Sequence, residues 1–260
     1  MATRAATWPS VIVRDSRRLV RYGVPWVFSN EVETMAAARQ TAVDGVLVRL
    51  VEPRGDVLGA AFYNRRSNIS ARVLWTAAEG KAMGYGDHQP PMTVLRTWLR
   101  DRLRAAVALR TKCLGEEAAR YCRLVHAEGD GMPGLAIDRF DRALCVQINS
   151  LGFDGLKEEL VEALKEVVSD VETIVLRLDS SARELEGLPV VKQPEIVLGD
   201  DKRLLHPEQH GQMVFVEEDK VRFPVDLIRG QKTGWFYDMR PHRLQMAQLS
   251  RGARVLDLFW

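Results

Sequence analysis

The sequence predicts a multidomain α+β protein: a small β-barrel, an α/β middle domain and the opening elements of a parallel α/β unit. Three observations carry this. Short runs rich in β-branched and aromatic residues, broken by turn clusters, fill the chain as far as Trp75. A Gly- and Pro-rich stretch, Lys81–Pro91, then gives way to alternating helical and strand periodicities. Near the end, Val255, Leu256, Leu258 and Phe259 surround Asp257 in an apolar run, the pattern of a strand covered on both faces in a parallel sheet.

In the first region, Val11–Val13 reads as a strand. Asp15 and Ser16 offer an N-cap to a short basic helix carrying Arg17, Arg18 and Arg21, and Pro25 ends it. Strands follow over Trp26–Val32, Gly45–Glu52, Val57–Tyr63 and Ile69–Trp75, the last two separated by the turn cluster Asn64–Asn68 with Arg65 and Arg66. After the 81–91 linker, the i, i+3, i+4 stripe of Leu95, Trp98, Leu99, Leu103, Ala106 and Val107 predicts a helix over Val94–Leu109. Tyr121–Val125, Leu135–Phe140, Ala143–Asn149 and Thr173–Leu178 read as strands, and Asp154 as the cap of an amphipathic helix. The loop Glu128–Gly134, EGDGMPG, predicts a glycine-dependent bend. Met213–Glu217 and Val221–Leu227 alternate as a hairpin, delivering the chain to GQKTGWFYDMR at Gly230–Arg240.

At 260 residues, 46% hydrophobic and 28% charged, the chain is too apolar to be disordered and long enough for more than one core. No apolar run approaches the roughly 20 residues of a membrane span, and the leader MATRAATWPS has neither a long apolar stretch nor the Arg and Ser content of a transit peptide. The expectation is a cytoplasmic protein without a membrane partner, an organelle being the alternative. The net charge of +2 conceals an asymmetry: residues 1–112 carry 18 Lys and Arg against 9 Asp and Glu, residues 113–260 carry 19 against 26. A basic half suggests a polyanionic partner, set against the plainer account of a solvated basic face. Cys113, Cys122 and Cys145 lack CxxC spacing and read as small buried hydrophobes, with no disulfide framework or zinc site. The five histidines show no convincing ligand spacing. Lys232-Thr233 is not a phosphate-cradling loop, because Asp226 and Gln231 hold the motif's two glycine positions. From the residues alone, Gly234 permits a turn and Asp238 caps a helix starting near Met239, with Pro241 in its first turn, or else meets substrate.

GQKTGWFYDMRPHR resembles the GxKTGxxxDxRxxR signature of the PUA-domain-bearing class I methyltransferases that use S-adenosylmethionine (SAM), the family of bacterial 23S rRNA cytosine-5 methyltransferases. GVPWVFSNEV, RLVHAEGDGMPGLAIDRF, LRLDSSARELEGL and VLDLF are similar to the same family in the same order, over nearly the whole chain. The resemblance implies an N-terminal PUA-like β-barrel at 1–80, an α/β middle domain at 92–200, and at 210–260 the first elements of a Rossmann-like methyltransferase domain. It places Lys232, Thr233, Gly234, Asp238 and Arg240 at the edge of the methyl-donor and RNA cleft, and Asp257 at the acidic position of the first catalytic-domain strand. Arg17, Arg18, Arg21, Arg65 and Arg66 are the candidate RNA contacts, Arg96 and Arg100 less so. The family continues after DLF with a small residue and a Tyr-Thr-Gly-Gly loop, where this chain has Trp260. The expectation is therefore the N-terminal portion of an RNA methyltransferase, truncated at the start of its catalytic domain. It would bind RNA but, without the glycine turn and the ribose-binding carboxylate, not bind SAM, and, without the catalytic cysteines of cytosine-5 chemistry, not methylate. A freestanding RNA-binding module is the alternative.

Overall fold

The computed structural model describes residues 8–33, 44–199 and 214–256. The predicted strands of the first region form one sheet. β1 (Ser10–Ile12), β2 (Trp26–Phe28), β3 (Leu47–Val51), β4 (Val57–Tyr63) and β5 (Ile69–Thr76) are ordered β1-β3-β4-β5-β2, parallel only between β1 and β3. An antiparallel bridge between Val13 and Val32 joins the two edges, so the sheet curls towards a barrel around Val11, Val27, Leu50, Ala61 and Val73. The Trp26–Val32 strand is shorter than expected, because Ser29–Glu31 turns in a 3₁₀ manner, with Glu31 Oε2 accepting from the Phe28 amide at 2.7 Å. Helix α1 (Arg17–Tyr22) is present, but Ser16 does not cap it: its hydroxyl donates to Glu52. Asp15 instead accepts from the Arg17 amide at 3.1 Å.

The linker region is partly structured. Helix α2 (Ala77–Met83) starts on a capping box of Thr76 and Glu79, and Tyr85 is buried against Trp75. Helix α3 (Pro91–Leu114) extends the predicted stripe at both ends. Its buried Leu95, Trp98, Leu99 and Leu103 lie in one continuous core with Phe62 and Trp75 of the first sheet and Leu124, Ile137 and Leu144 of the second. That second sheet comprises β6 (Tyr121–His126), β7 (Leu135–Phe140), β8 (Ala143–Ile148), β9 (Thr173–Leu178) and β10 (Val191–Leu198), in the order β10-β9-β8-β7-β6 and parallel only between β8 and β9. β10 has no counterpart among the expected strands, because its mixed KQPE pattern carries no clear period. Between β8 and β9 lie α4 (Leu151–Asp154) and α5 (Lys157–Val167). Asp154 does not cap α5. Its carboxylate takes Arg183 at 2.9 Å and Lys157 at 3.1 Å instead. The EGDGMPG bend is as expected: a Cβ on Gly134, at φ +81°, would lie 2.7 Å from the Cβ of Ser150.

The other face of the second sheet carries the hairpin β11 (Val214–Glu218) and β12 (Val221–Val225), whose Val216 and Val225 join Phe140, Cys145 and Val175. Asp219 and Lys220 both take positive φ, as a two-residue hairpin turn requires. Helix α6 (Arg240–Leu249) follows. The described part of the closing apolar run forms no strand: Val255 and Leu256 are 63% and 80% exposed, with no strand beside them among the described residues.

Glu186, almost wholly buried, ties the two sheets together. Ser67 donates to its Oε1 at 2.9 Å and Arg72 at 2.8 Å, while Asn64 donates to its Oε2 and to its backbone carbonyl. Burial by itself would push this carboxyl up, but the Arg72 guanidinium and the Ser67 and Asn64 donors outweigh it and hold the group below its ordinary 4.5. A depressed carboxyl contributes stability that is complete above the ordinary value and is lost as the pH falls through the folded one. Urea unfolding midpoints are therefore expected to drop below about pH 4.5, and Glu186→Gln should flatten that acid limb. An unchanged limb would remove Glu186 from the junction. Gly152 meets the Phe62 ring so closely that an added Cβ would lie 2.1 Å from its Cγ. Gly152→Ala is expected to cost about 1–3 kcal/mol in the same assay.

Candidate functional site

GQKTGWFYDMR owes its shape to a few local requirements and two long-range tethers. A Cβ on Gly230 would lie 2.3 Å from the Asp226 carbonyl, and one on Gly234, at φ +109°, would lie 2.6 Å from Val225 Cγ1. Lys232 takes a left-handed φ of +54° between them. The first tether is Asp138 of β7, fully buried. It accepts from the Thr233 hydroxyl and, through both oxygens, from Arg123 of β6, with Nη2 at 3.0 Å. A carboxylate out of water has to be paired, so Thr233 is drawn down onto the sheet. The second is Arg177 of β9, whose Nη1 donates to the carbonyls of Leu227 at 3.3 Å and Gly230 at 3.0 Å. Arg177 is in turn gripped by both oxygens of Asp179, at 3.1 and 2.6 Å. Burial would raise the Asp179 carboxyl, but the guanidinium prevails and holds it below the usual range.

The following residues lock onto the hairpin. Trp235 Nε1 donates to Glu218 at 3.0 Å, Arg243 of α6 donates to both oxygens of the same carboxylate at 2.7 and 2.8 Å, and the guanidinium lies over the Trp235 ring at 4.5 Å. The Tyr237 hydroxyl donates to the Arg139 carbonyl at 2.6 Å.

Between this stretch, the C-terminal half of α3 and β6 opens a cavity of about 660 Å³. Lys232, Asp238 and Arg240 line it, with Trp235 and Phe236 as aromatic walls and Leu109 and Cys113 from α3 opposite. The Lys232 ammonium lies 4.7 Å from the centre of the Phe236 ring. Two cations, a carboxylate and flat aromatic faces can hold a polar, planar, charged ligand: the cations suit a carboxylate or phosphate, and Asp238 suits a hydroxyl or amine. The donor set thus fits one end of a nucleoside-containing cofactor or a nucleotide. Among the described residues no group of three or more His, Cys, Asp or Glu could hold a metal ion.

Of the predicted site residues, Lys232, Asp238 and Arg240 come together at the cavity, while Thr233 and Gly234 lie in the turn behind it. Asp238 does not cap α6, whose N-cap is Met239 without a side-chain bond; the helix starts one residue too late for it, with Pro241 in the first turn as expected. Asp257 lies outside the described residues. Asp138, Arg123, Arg177 and Asp179 are not among the residues the sequence singles out, although charges inside otherwise apolar strands such as LAIDRF and TIVLRL are a signal. Cys113 is exposed, contrary to expectation. Cys122 and Cys145 are buried, and burial pushes the Cys122 thiol up to about 11 and Cys145 higher still.

Arg17 pairs with Asp15, and Arg65 donates to Asp44 at 3.1 Å with Arg66 3.8 Å from the same carboxylate. Arg17 holds the exposed Asp15 carboxyl down to about 2. Arg18 sits over the Phe28 ring at 4.8 Å, and the Arg21 side chain lies outside the described residues. Arg96 and Arg100 are paired as well, with Glu159 and Glu166 of α5, and Arg104 joins Glu166 at 2.7 Å.

Residues 12–76 match the PUA-like domain family. The chain is 30% identical over 236 residues to the ribosomal RNA large subunit methyltransferase I of Shewanella frigidimarina strain NCIMB 400, covering 90% of this chain and 53% of that protein. A solved structure described as a SAM-dependent methyltransferase from Streptococcus mutans superposes with a TM-score of 0.65 at 15% identity, covering 91% of this chain and 53% of that one. A methyltransferase crystallised with SAH matches with the same TM-score, identity and coverage. The chain therefore shares the fold of these methyltransferase structures and is homologous to the large-subunit rRNA methyltransferases I, and it spans about half the length of the relatives it matches. No described helix is long and apolar enough to cross a membrane.

Thr233→Val keeps the volume but removes the hydroxyl from Asp138. It is expected to cost about 1–2 kcal/mol and to speed amide exchange over 230–237. Unaltered exchange would show that Arg177 alone holds the stretch.

Proposed function

We propose that these residues supply the RNA-binding part and one wall of the methyl-transfer cleft of a SAM-dependent rRNA methyltransferase that modifies cytosine at carbon 5. The homology over nine-tenths of the chain to large-subunit rRNA methyltransferases, together with the PUA-like match, supports this most directly. RNA meets the basic face of the first sheet. Arg17, Arg18, Arg65 and Arg66 sit on α1 and the β4–β5 turn, and Arg21 belongs to the same helix. The guanidinium groups of the first four are exposed, although Glu31 and Asp44 beside Arg18, Arg65 and Arg66 are themselves largely buried, so phosphates reach these cations in competition with carboxylates that stay in place. The division at 1–80, 92–200 and 210–260 assigns binding, support and the catalytic entrance to successive parts.

At that entrance, Lys232, Asp238 and Arg240 touch the methyl donor or the target nucleotide, while Thr233 and Gly234 hold the backbone that carries them. By the resemblance, Asp257 is assigned to the same methyl-donor site. Attack on a cytosine ring requires a thiolate. Cys122 and Cys145, held protonated by burial, cannot provide one, and Cys113 lies in no motif of that chemistry. The 260 residues by themselves thus bind RNA and do not methylate it, and they contain no Gly-rich turn to hold SAM.

Charge reversal of the five arginines is expected to weaken RNA binding across sequences. The slope of log affinity against log salt should flatten by roughly 0.7–0.9 for each phosphate that is no longer neutralised. Unchanged affinity and slope would make the basic face merely solubilising. Calorimetry of this chain with SAM is expected to show no saturable binding, and low-micromolar binding would overturn that part of the reading.

A further inference from the structure

A second cleft, of about 490 Å³, shares no lining residue with the cavity at Lys232. It lies where the β4–β5 turn, the EGDGMPG loop, the residue after β8 and the 3₁₀ turn Ser181–Glu186 meet, so both sheets contribute to it. Two of its charges are already paired, since Arg72 is clamped between Glu128 at 3.3 Å and Glu186 at 2.8 Å and Glu128 also accepts from Trp26 Nε1 at 3.0 Å, while a further carboxylate, Glu184, lines it exposed to solvent. The interior therefore does not suit a phosphate. The rim does, because Arg66 is 76% exposed and only loosely held by Asp44.

Asn149 lines the same cleft, and its Oδ1 is the one buried side-chain oxygen among the described residues without a hydrogen-bond partner. A buried amide oxygen left unpaired is costly, so the position favours a ligand bearing an N–H. Beside it, Leu185 is 73% exposed and offers an apolar surface to a flat ring. An N–H donor, a planar face and an adjoining anionic group are combined in a nucleotide whose base has left the stack, the form in which single-stranded RNA is usually read.

We infer that this cleft takes one unstacked base of the RNA, with Asn149 Oδ1 accepting from an N–H of the base edge, Leu185 packing on its face and Arg66 meeting the neighbouring phosphate. This rests on the RNA-binding reading above and adds to it a site that senses the base, not only the charge. Phosphate contacts position a nucleic acid, whereas base contacts discriminate.

The test is fluorescence anisotropy of the full chain with a short labelled single-stranded RNA and with an oligomer of equal length and charge in which the bases are replaced by abasic riboses. Asn149→Ala and Leu185→Ala are each expected to weaken RNA binding, the former by about tenfold, while leaving the abasic oligomer and the salt slope unchanged. Arg66→Glu is expected to weaken both oligomers and flatten the slope. Leu185 is exposed enough that its replacement leaves the fold intact. If Arg66→Glu acts as expected while Asn149→Ala and Leu185→Ala change nothing, the RNA reading stands and the base site is overturned. If the unaltered chain binds neither oligomer, both readings fall.

Discussion

The buried carboxylate of Asp138 is the constraint on which the candidate site depends. It lies inside an apolar sheet, where an isolated charge would be prohibitive, and it is tolerated because Arg123 and Thr233 satisfy it from two directions. Arg123 comes from the neighbouring strand and is supplied by the sheet's own register. Thr233 comes from a distant turn, so that turn can sit in only one place. With Thr233 pinned, Lys232 on one side is thrown into a left-handed conformation, and the residues after it run past the end of α3 towards α6. The cavity is what remains between them.

Arg177 acts in a complementary way at the other end of the stretch. A guanidinium presents several donors in a rigid fork, so one side chain can hold Asp179 in two bonds and still reach two backbone carbonyls. Backbone carbonyls in an irregular segment otherwise lack partners, and supplying them from a strand makes a loop as fixed as the sheet below it. The Glu218 carboxylate, shared by Trp235 and Arg243, extends the same logic to α6.

The basic half of the chain is less free than its composition suggests. Its helix α3 commits Arg96, Arg100 and Arg104 to the acidic face of α5, and Arg72 is consumed at the junction between sheets. The guanidinium groups of Arg17 and Arg18 on α1 and of Arg65 and Arg66 in the β4–β5 turn reach solvent, but they too are paired, Arg17 with Asp15, Arg18 with Glu31, and Arg65 and Arg66 with Asp44. Net charge thus overstates the polyanion-binding surface, because a guanidinium paired with a carboxylate adds little to the outer field, whether it is buried like Arg72 or exposed like Arg96 and Arg104.

By itself the sequence determined what depends on neighbours along the chain. β7 and β9 run over the residues expected from their apolar runs, α3 follows its stripe, and the hairpin between Val214 and Val225 and the glycine bend at Gly134 follow from alternation and turn chemistry. The motif resemblance, too, was legible, because it is a matter of order and spacing. Tertiary structure alone decided which side chains meet. Thr233 and Asp138 are 95 residues apart, and Ser67 and Glu186 are 119 apart. Asp154 and Asp238 both look like helix caps locally, yet Asp154 is claimed by Arg183 and Asp238 is left at the cavity edge by a helix that starts later. A short polar side chain bonds to whatever the fold brings within about 3 Å. Periodicity records which face of an element is buried, but not what lies against it.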